Sequence, residues 1–376
     1  MKIGVVKESI ANEKRVAIVP ESVKRLIAKG FEVIVEKDAG KAANYLDKEY
    51  QDMGASIANS FSDTASKSDI LLKVRHVNSQ EADQLKDGSY LISFQDPVNQ
   101  KDNVSKFEKK KINSFALEFI PRSSLAQSMD VLSSTGTIAG YKAVMIAANA
   151  QQKLFPMMMT AAGTIPPAKV LILGAGVAGL QAIATARKLG AVVEAFDTRP
   201  AVKEEVESLG GKFLEMPLEE DAQDDQGYAK EMSAEFIKKE MELIEKHIAK
   251  SDICISTAQV FGKKAPVLVK EYMVQKMRPG SVIVDLAAEQ GGNCELSKPG
   301  ETVDYNGVLI IGPQNIPSMM AEHASKMFSK NLENLLFHIV KDNQIDLNSE
   351  DEIIQRPLIT KNGETVSQLL KDILNK

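Results

Sequence analysis

Tryptophan is absent from the 376 residues, and aromatic side chains of any kind make up only 5 % of them. A surface built to stack on bases has little to draw on. Positive charge is not in excess either: 51 acidic residues face 46 basic ones, the formal net charge is −5, and the basic residues are spread along the chain instead of gathered in tracts. Both observations argue against nucleic acid as a partner. Cysteine is scarce. Cys254 and Cys294 form no CxxC pair, and Cys254 falls inside the apolar run Ile253-Cys254-Ile255, where a small buried thiol and a reducing compartment are expected. No window approaches 18 uncharged apolar residues, and the N-terminus enters a strand at Met1-Lys2-Ile3-Gly4-Val5-Val6 without a secretory segment, so a chain soluble by itself is expected. HExxH spacing and a Gly-x-Ser-x-Gly elbow are both missing.

What the chain does contain is a dinucleotide-binding unit in the proper order. The apolar strand Val170 to Leu173 is followed by Gly174, Gly176 and Gly179, then by a helix, then by a second strand, Ala191 to Phe196, that ends on the carboxylate Asp197. Gly174 permits the tight turn, Gly176 lets the backbone approach a pyrophosphate, and Gly179 lets helix and strand pack closely. The helix N-terminus, at Val177 and Ala178, then offers its N–H groups and dipole to the phosphate charge. Leu180, Ile183 and Ala184 are expected to form the core face of that helix, with Arg187 and Lys188 in its last turn and Gly190 just beyond. Asp197 lies 18 residues after Gly179, where an acidic side chain accepts from the adenosine ribose hydroxyls and repels a 2′-phosphate. NAD(H) is therefore expected over NADP(H). Thr198 and Arg199 share the strand tip, and the Arg199 guanidinium is the one element there that would suit a 2′-phosphate.

Length allows two domains. In the first ~125 residues short apolar strands (Lys2 to Val6, Phe31 to Glu36, Asp69 to Val74, Tyr90 to Phe94, Asn113 to Glu118) alternate with amphipathic stretches such as Glu21 to Lys29, which stops at Gly30. Such β-α repetition implies a mostly parallel sheet, here without a glycine fingerprint. A hydroxyl-rich passage, residues 122–134, leads into a helix expected from about Ile138 to Leu154. Six further strands, near 170, 192, 212, 252, 282 and 308, make a second doubly wound sheet, and Pro317 to Val340 reads as a long return helix. The fold class is thus α/β, with an N-terminal domain of residues 1–132 completed by 325–376 and a Rossmann domain of residues 133–324. The expected site is the cleft between them, at the carboxyl ends of both sheets. One acidic, aperiodic segment, Glu219 to Tyr228, is either a solvated insert or a flap.

A substrate dehydrogenase usually manages a proton along with the hydride. None of the four histidines, His76, His247, His323 and His338, has a sequence context that marks it as catalytic. Arg15 and Lys73 sit at loop or strand ends, and two readings stand for them: binding of an anion in the cleft, or plain solvation.

Several segments carry a family resemblance: Lys7-Glu8 with Glu13-Lys14-Arg15-Val16-Ala17 and Pro20, the passage Pro121 to Ser134, Pro156 to Thr164, Gly174 to Leu180, Gly227 to Met232, and Gly291-Gly292-Asn293-Cys294. Together they make the chain similar, over nearly its whole length, to the NAD(H)-binding component of proton-translocating nicotinamide nucleotide transhydrogenase. Alanine dehydrogenases are that component's relatives and share its two-domain plan. They carry a catalytic His in the segment that here reads Ser93-Phe94-Gln95-Asp96-Pro97, and an Asp in the loop that here reads Ala288-Glu289-Gln290-Gly291. The resemblance implies that Arg122, Gln127 and Asp130, assisted by Ser133, hold the nicotinamide end. It further implies that Gly227, Tyr228 and Glu289 belong to the coenzyme site, with Tyr228 on a closing flap. It also implies partner subunits that bind NADP(H) and span the membrane, a homodimer of this chain, and a place on the cytoplasmic face of the inner membrane. The expected reaction is direct hydride transfer from NADH to NADP+ on the partner, coupled to proton translocation. Hydride passage between two nicotinamide rings needs close placement and exclusion of water, with no substrate proton to shuttle. The alternatives are an alanine dehydrogenase-like amino acid dehydrogenase and an NAD(H)-sensing module that transfers nothing.

Overall fold

Strands and helices alternate from the first residues onward in the computed structural model, which describes residues 1–216, 234–260 and 263–374. The order is β1 (Lys2–Val5), α1 (Pro20–Ala28), β2 (Glu32–Glu36), α2 (Asp47–Asp52), β3 (Ser56–Ala58), α3 (Phe61–Lys67), β4 (Ile70–Leu72), α4 (Ser79–Gln84), β5 (Tyr90–Ser93), α5 (Lys101–Lys109) and β6 (Asn113–Ala116). Helix α6 (Val131–Ala150) and the hairpin β7 (Met158–Thr160) and β8 (Gly163–Ile165) follow. Next come β9 (Lys169–Leu173), α7 (Val177–Lys188), β10 (Val192–Phe196), α8 (Lys203–Ser208), β11 (Lys212–Phe213), α9 (Ala234–Ile248), β12 (Ile253–Ser256), α10 (Glu271–Val274), β13 (Val282–Asp285), β14 (Thr302–Tyr305) and β15 (Val308–Ile311), and then the long helix α11 (Ala321–Ile339). Gly227 and Tyr228 lie outside the described residues.

The chain divides into two units, residues 1–135 with 317–376, and residues 136–316. The first unit carries a sheet in the order β3-β2-β1-β4-β5-β6, extended by the C-terminal strands Leu358–Lys361 and Glu364–Thr365. β1 to β6 run parallel, and Leu358–Lys361 pairs antiparallel with β6. Eight strands are present where the sequence reading expects five. The others are two to four residues long, too short for a period-two pattern to stand out.

The second unit is ordered β11-β10-β9-β12-β13-β15-β14, parallel throughout except for β14. It is the α/β doubly wound sheet expected, with seven strands instead of six. β14 escapes the reading because it is an edge strand, half exposed along its length, and carries little apolar signal. Its core lies on both sheet faces: Val170, Ile172, Ile255 and Val284 point one way, Leu171, Leu173, Cys254 and Ile283 the other. Cys254 is fully buried among them.

Two helix expectations need correction. α6 begins at Val131, not near Ile138, because the Asp130 carboxylate accepts the Ser133 N–H at 2.9 Å and so caps a helix out of what reads as a polar loop. It also ends sooner, at Ala150 instead of Leu154. α7 buries Gly179, Ala182, Ile183 and Ala186, whereas Leu180 and Ala184 are only half-buried. The small residues set that rotation, since Gly179 has to face the turn it packs against.

Candidate coenzyme site

A left-handed backbone at Gly174, φ +95°, turns the chain from β9 into α7, and its N–H donates to the Phe196 carbonyl at 2.8 Å. A Cβ there would lie 2.7 Å from the Thr257 hydroxyl, and a Cβ on Gly179 would lie 1.9 Å from the Gly174 carbonyl oxygen. Both positions exclude a side chain. Gly176 differs: it is the residue that precedes α7, no side chain caps the helix, and the nearest heavy atom to a Cβ built there is Arg199 Nη2 at 4.0 Å. The first-turn N–H groups, at Val177 and Ala178, therefore end beside open space with no protein group spent on them. That cradle fits a pyrophosphate, by backbone donors and by the helix dipole.

Asp197 follows β10 and is 9 % exposed. Its carboxylate accepts the Ala175 N–H at 2.7 Å, the Arg199 backbone N–H at 2.9 Å, and the Arg199 guanidinium through Nε at 2.9 Å and Nη2 at 2.8 Å. It fastens the strand tip to the glycine-rich turn. Beside it lies a cavity of about 180 Å3 that Thr198 also lines. Across the switch point of the sheet, between the carboxyl ends of β9 and β12, the Thr257 hydroxyl donates to the Gly174 carbonyl at 3.0 Å. Thr257 is a residue that sequence reasoning missed; strand order alone puts the residue after β12 next to the glycine-rich turn. Asn293 was also missed as a fastener: its amide accepts from the Ala258 N–H and donates to the Ala258 and Pro266 carbonyls.

Glu289 stands exposed in the short 3₁₀ turn Ala288–Gln290 of the same unit, and its carboxylate accepts the Asn315 N–H at 3.1 Å. In the first unit, Arg122 and Gln127 are exposed, while Asp130 and Ser133 are bound to each other, Ser133 Oγ donating to Asp130 at 2.5 Å. Glu13 and Glu8 take up Arg15 and Lys73, so neither cation is solvated. Arg15, 3 % exposed, forms a two-pronged bond to Glu13 at 2.8 and 2.7 Å, and Lys73, fully buried, reaches Glu8 and Ser9 at 3.2 Å. Burial opposes charge on Glu13, but the Arg15 fork and field, with the Ser318 hydroxyl, outweigh it and hold the carboxyl at about 2. Burial raises Glu8, against the Lys73 charge. The carboxyl ends of β1 and β4, the switch point of this sheet, are thus occupied by the chain's own ion pairs.

Gln95 is buried, and its amide nitrogen donates to the Leu91 and Phe115 carbonyls, so no titrating group stands at that position. Burial, and then the Arg75 charge, lower His76, while His247 and His338 are bound to Glu194 and Asp351 at 2.6 Å. No group of three or more His, Cys, Asp or Glu suited to a metal ion exists among the described residues, and no described helix is long and apolar enough to cross a membrane.

Residues 4–139 match the family profile described as alanine dehydrogenase/PNT, N-terminal domain, and residues 143–368 match the corresponding C-terminal domain. The chain is 48 % identical, over 98 % of its length and 99 % of the relative's, to the first of the polypeptides that make up the NAD(P) transhydrogenase alpha subunit of Rhodospirillum rubrum. Among solved structures it resembles the transhydrogenase from Sinorhizobium meliloti, with TM-score 0.86 and 41 % identity over 98 % of this chain and all of that one. An L-alanine dehydrogenase structure matches with TM-score 0.82 and 26 % identity, over 100 % of this chain and 99 % of that one.

Proposed function

The chain belongs to the alanine dehydrogenase/PNT family, on the side of the NAD(P) transhydrogenase alpha subunits, and from that premise we propose that it is the NAD(H)-binding subunit of a proton-translocating transhydrogenase. It passes hydride directly from NADH to NADP+ held by a partner subunit, and a membrane-spanning partner carries the coupled protons. The observation that carries this reading is the uncapped N-terminus of α7 beside Gly176, with a carboxylate at the tip of the next strand.

NAD(H), when bound, supplies the hydride. The chain's own residues bind and orient. Val177 and Ala178 offer N–H groups to the pyrophosphate, Thr257 keeps the turn in shape, and Asp197 selects the unphosphorylated ribose. Arg122 and Gln127, on a segment anchored by the Asp130–Ser133 bond, position the nicotinamide ring for transfer. No acid or base is needed for a ring-to-ring hydride, in keeping with Gln95 where alanine dehydrogenases carry His.

The working form is a homodimer on the cytoplasmic face of the inner membrane. The hairpin β7–β8 supports the dimer: both strands are exposed, and Met157, Met158, Met159 and Ile165 present an apolar surface that soluble monomers seldom leave open. The test is to mix this chain with the NADP(H)-binding component of a related transhydrogenase and follow transfer from NADH to bound NADP+. Transfer in the mixture, without consumption of any amino acid, is expected. Turnover of an amino acid with NAD+ by the isolated chain would overturn the reading.

A further inference from the structure

The cavity beyond Asp197 holds more chemistry than ribose recognition requires. Phe196, Thr198 and Phe236 line it, and so do Lys203 on α8 and Glu215 just after β11, which form an ion pair. Arg199 lies on Asp197 at the same strand tip. Two cations thus stand where a ribose 2′-phosphate would arrive, and each is held by a carboxylate. A third carboxyl lies behind them. Glu240, one turn beyond Phe236 on the same face of α9, is 8 % exposed and makes no hydrogen bond or ion pair among the described residues. Burial, and then the charge of Asp197, push it up to about 7. An acid left unpartnered in the interior beside another acid has no stabilising role that packing would not serve better.

We propose that Glu215 and Glu240 are coenzyme-selectivity residues that act with Asp197, holding the Lys203 and Arg199 side of the cavity unfit for the 2′-phosphate of NADP(H). Asp197 engages Arg199, Glu215 engages Lys203, and Glu240 adds negative charge behind both. This rests on the NAD(H) reading of the site. It places discrimination in the electrostatics of a whole cavity, so removal of the outer acids alone opens the site to a 2′-phosphate while Asp197 still serves the ribose.

The experiment is fluorescence titration of the full chain and of Glu215→Gln, Glu240→Gln and the double variant with NADH and with NADPH. Expected is a fall in the ratio of NADPH to NADH dissociation constants of about tenfold in the double variant, with the NADH constant within about threefold of the parent. Glu240→Asp retains the parental ratio. Glu215→Gln is at an exposed position, so it keeps the test open should a change at Glu240 disturb folding. An unchanged ratio in variants that still bind NADH overturns the inference and leaves the NAD(H) reading intact. Failure of the parent chain to bind NADH overturns both.

Discussion

The guanidinium of Arg199 clasps the carboxylate of Asp197 through Nε at 2.9 Å and Nη2 at 2.8 Å, while the same carboxylate takes the Ala175 N–H at 2.7 Å. One side chain therefore joins the tip of β10, the glycine-rich turn and the nearest cation. Ribose hydroxyls that reach Asp197 have to share it with Arg199 or displace one of the two guanidinium bonds.

Asp197→Ala consequently weakens NADH binding and at the same time releases Arg199. NADPH affinity rises relative to NADH affinity, by about tenfold or more in the ratio of dissociation constants. Titration with both coenzymes checks it, and an unaltered ratio would place the ribose contact elsewhere.

Gly176 and Gly179 separate binding from folding. A Cβ on Gly179 meets the Gly174 carbonyl at 1.9 Å, so Gly179→Ala costs at least about 2 kcal/mol of stability. Gly176→Ala meets nothing closer than 4.0 Å, leaves the melting temperature nearly unchanged, and lowers NADH affinity by about tenfold or more because the methyl occupies the phosphate's space. Thermal melts beside NADH titrations distinguish the two; equal melting temperatures for both variants would contradict the geometry.

Gln127 is exposed, whereas Asp130 caps α6. Gln127→Ala should cut the hydride-transfer rate by about tenfold or more with little change in NADH affinity or stability, as a lost positioning contact does. Asp130→Ala should add a stability loss of about 1 kcal/mol from the missing cap. Stopped-flow transfer rates and denaturant midpoints are the measurements. A parallel loss of affinity and rate in Gln127→Ala would reduce it to a simple binding contact.

Met159 is 78 % exposed on the β7–β8 hairpin. If this apolar strip is where two copies meet, Met159→Asp shifts the chain from dimer to monomer in sedimentation equilibrium without lowering its helix content. A parent chain that sediments as a monomer at all concentrations rejects the dimer.

Glu13 sets the acid limit of the first unit. Its carboxyl sits at about 2 in the fold against an ordinary 4.5, so the unfolded chain binds the proton more readily, and the stabilisation is fully present above 4.5. It is lost as pH falls through 4.5 toward 2, a change on the order of 1–3 kcal/mol for a side chain with no exposure. Urea midpoints between pH 5 and 3 should drop for the parent and drop less for Glu13→Gln. Identical slopes would show that the Arg15 pair does not act through proton linkage.

The coenzyme turn was legible because its signals are local: the three glycines, the strand before them and the carboxylate after the second strand all lie within 30 residues, and each answers to a backbone requirement that no other residue type meets. The α/β alternation was legible for the same reason, strand by strand. Short or half-exposed strands such as β3 and β14 were not, since too few apolar residues repeat in them. The start of α6 was misread because a cap formed by Asp130 outweighs the poor helix propensity of the Ser-Ser-Thr-Gly run after it, a contest between neighbours that a periodicity search does not score.

By itself, then, the order of residues determined that a dinucleotide turn would form, that its helix would point bare N–H groups at a phosphate, and that an acid would stand at the neighbouring strand. Tertiary structure decided which partners those groups keep. Thr257 reaches Gly174 from 83 residues away, Arg15 and Lys73 are consumed by Glu13 and Glu8, and Glu240 comes to lie near Asp197. Charges and hydroxyls carry no label for their partners in the linear chain; sheet order brings them within reach, and burial then determines which pairs hold.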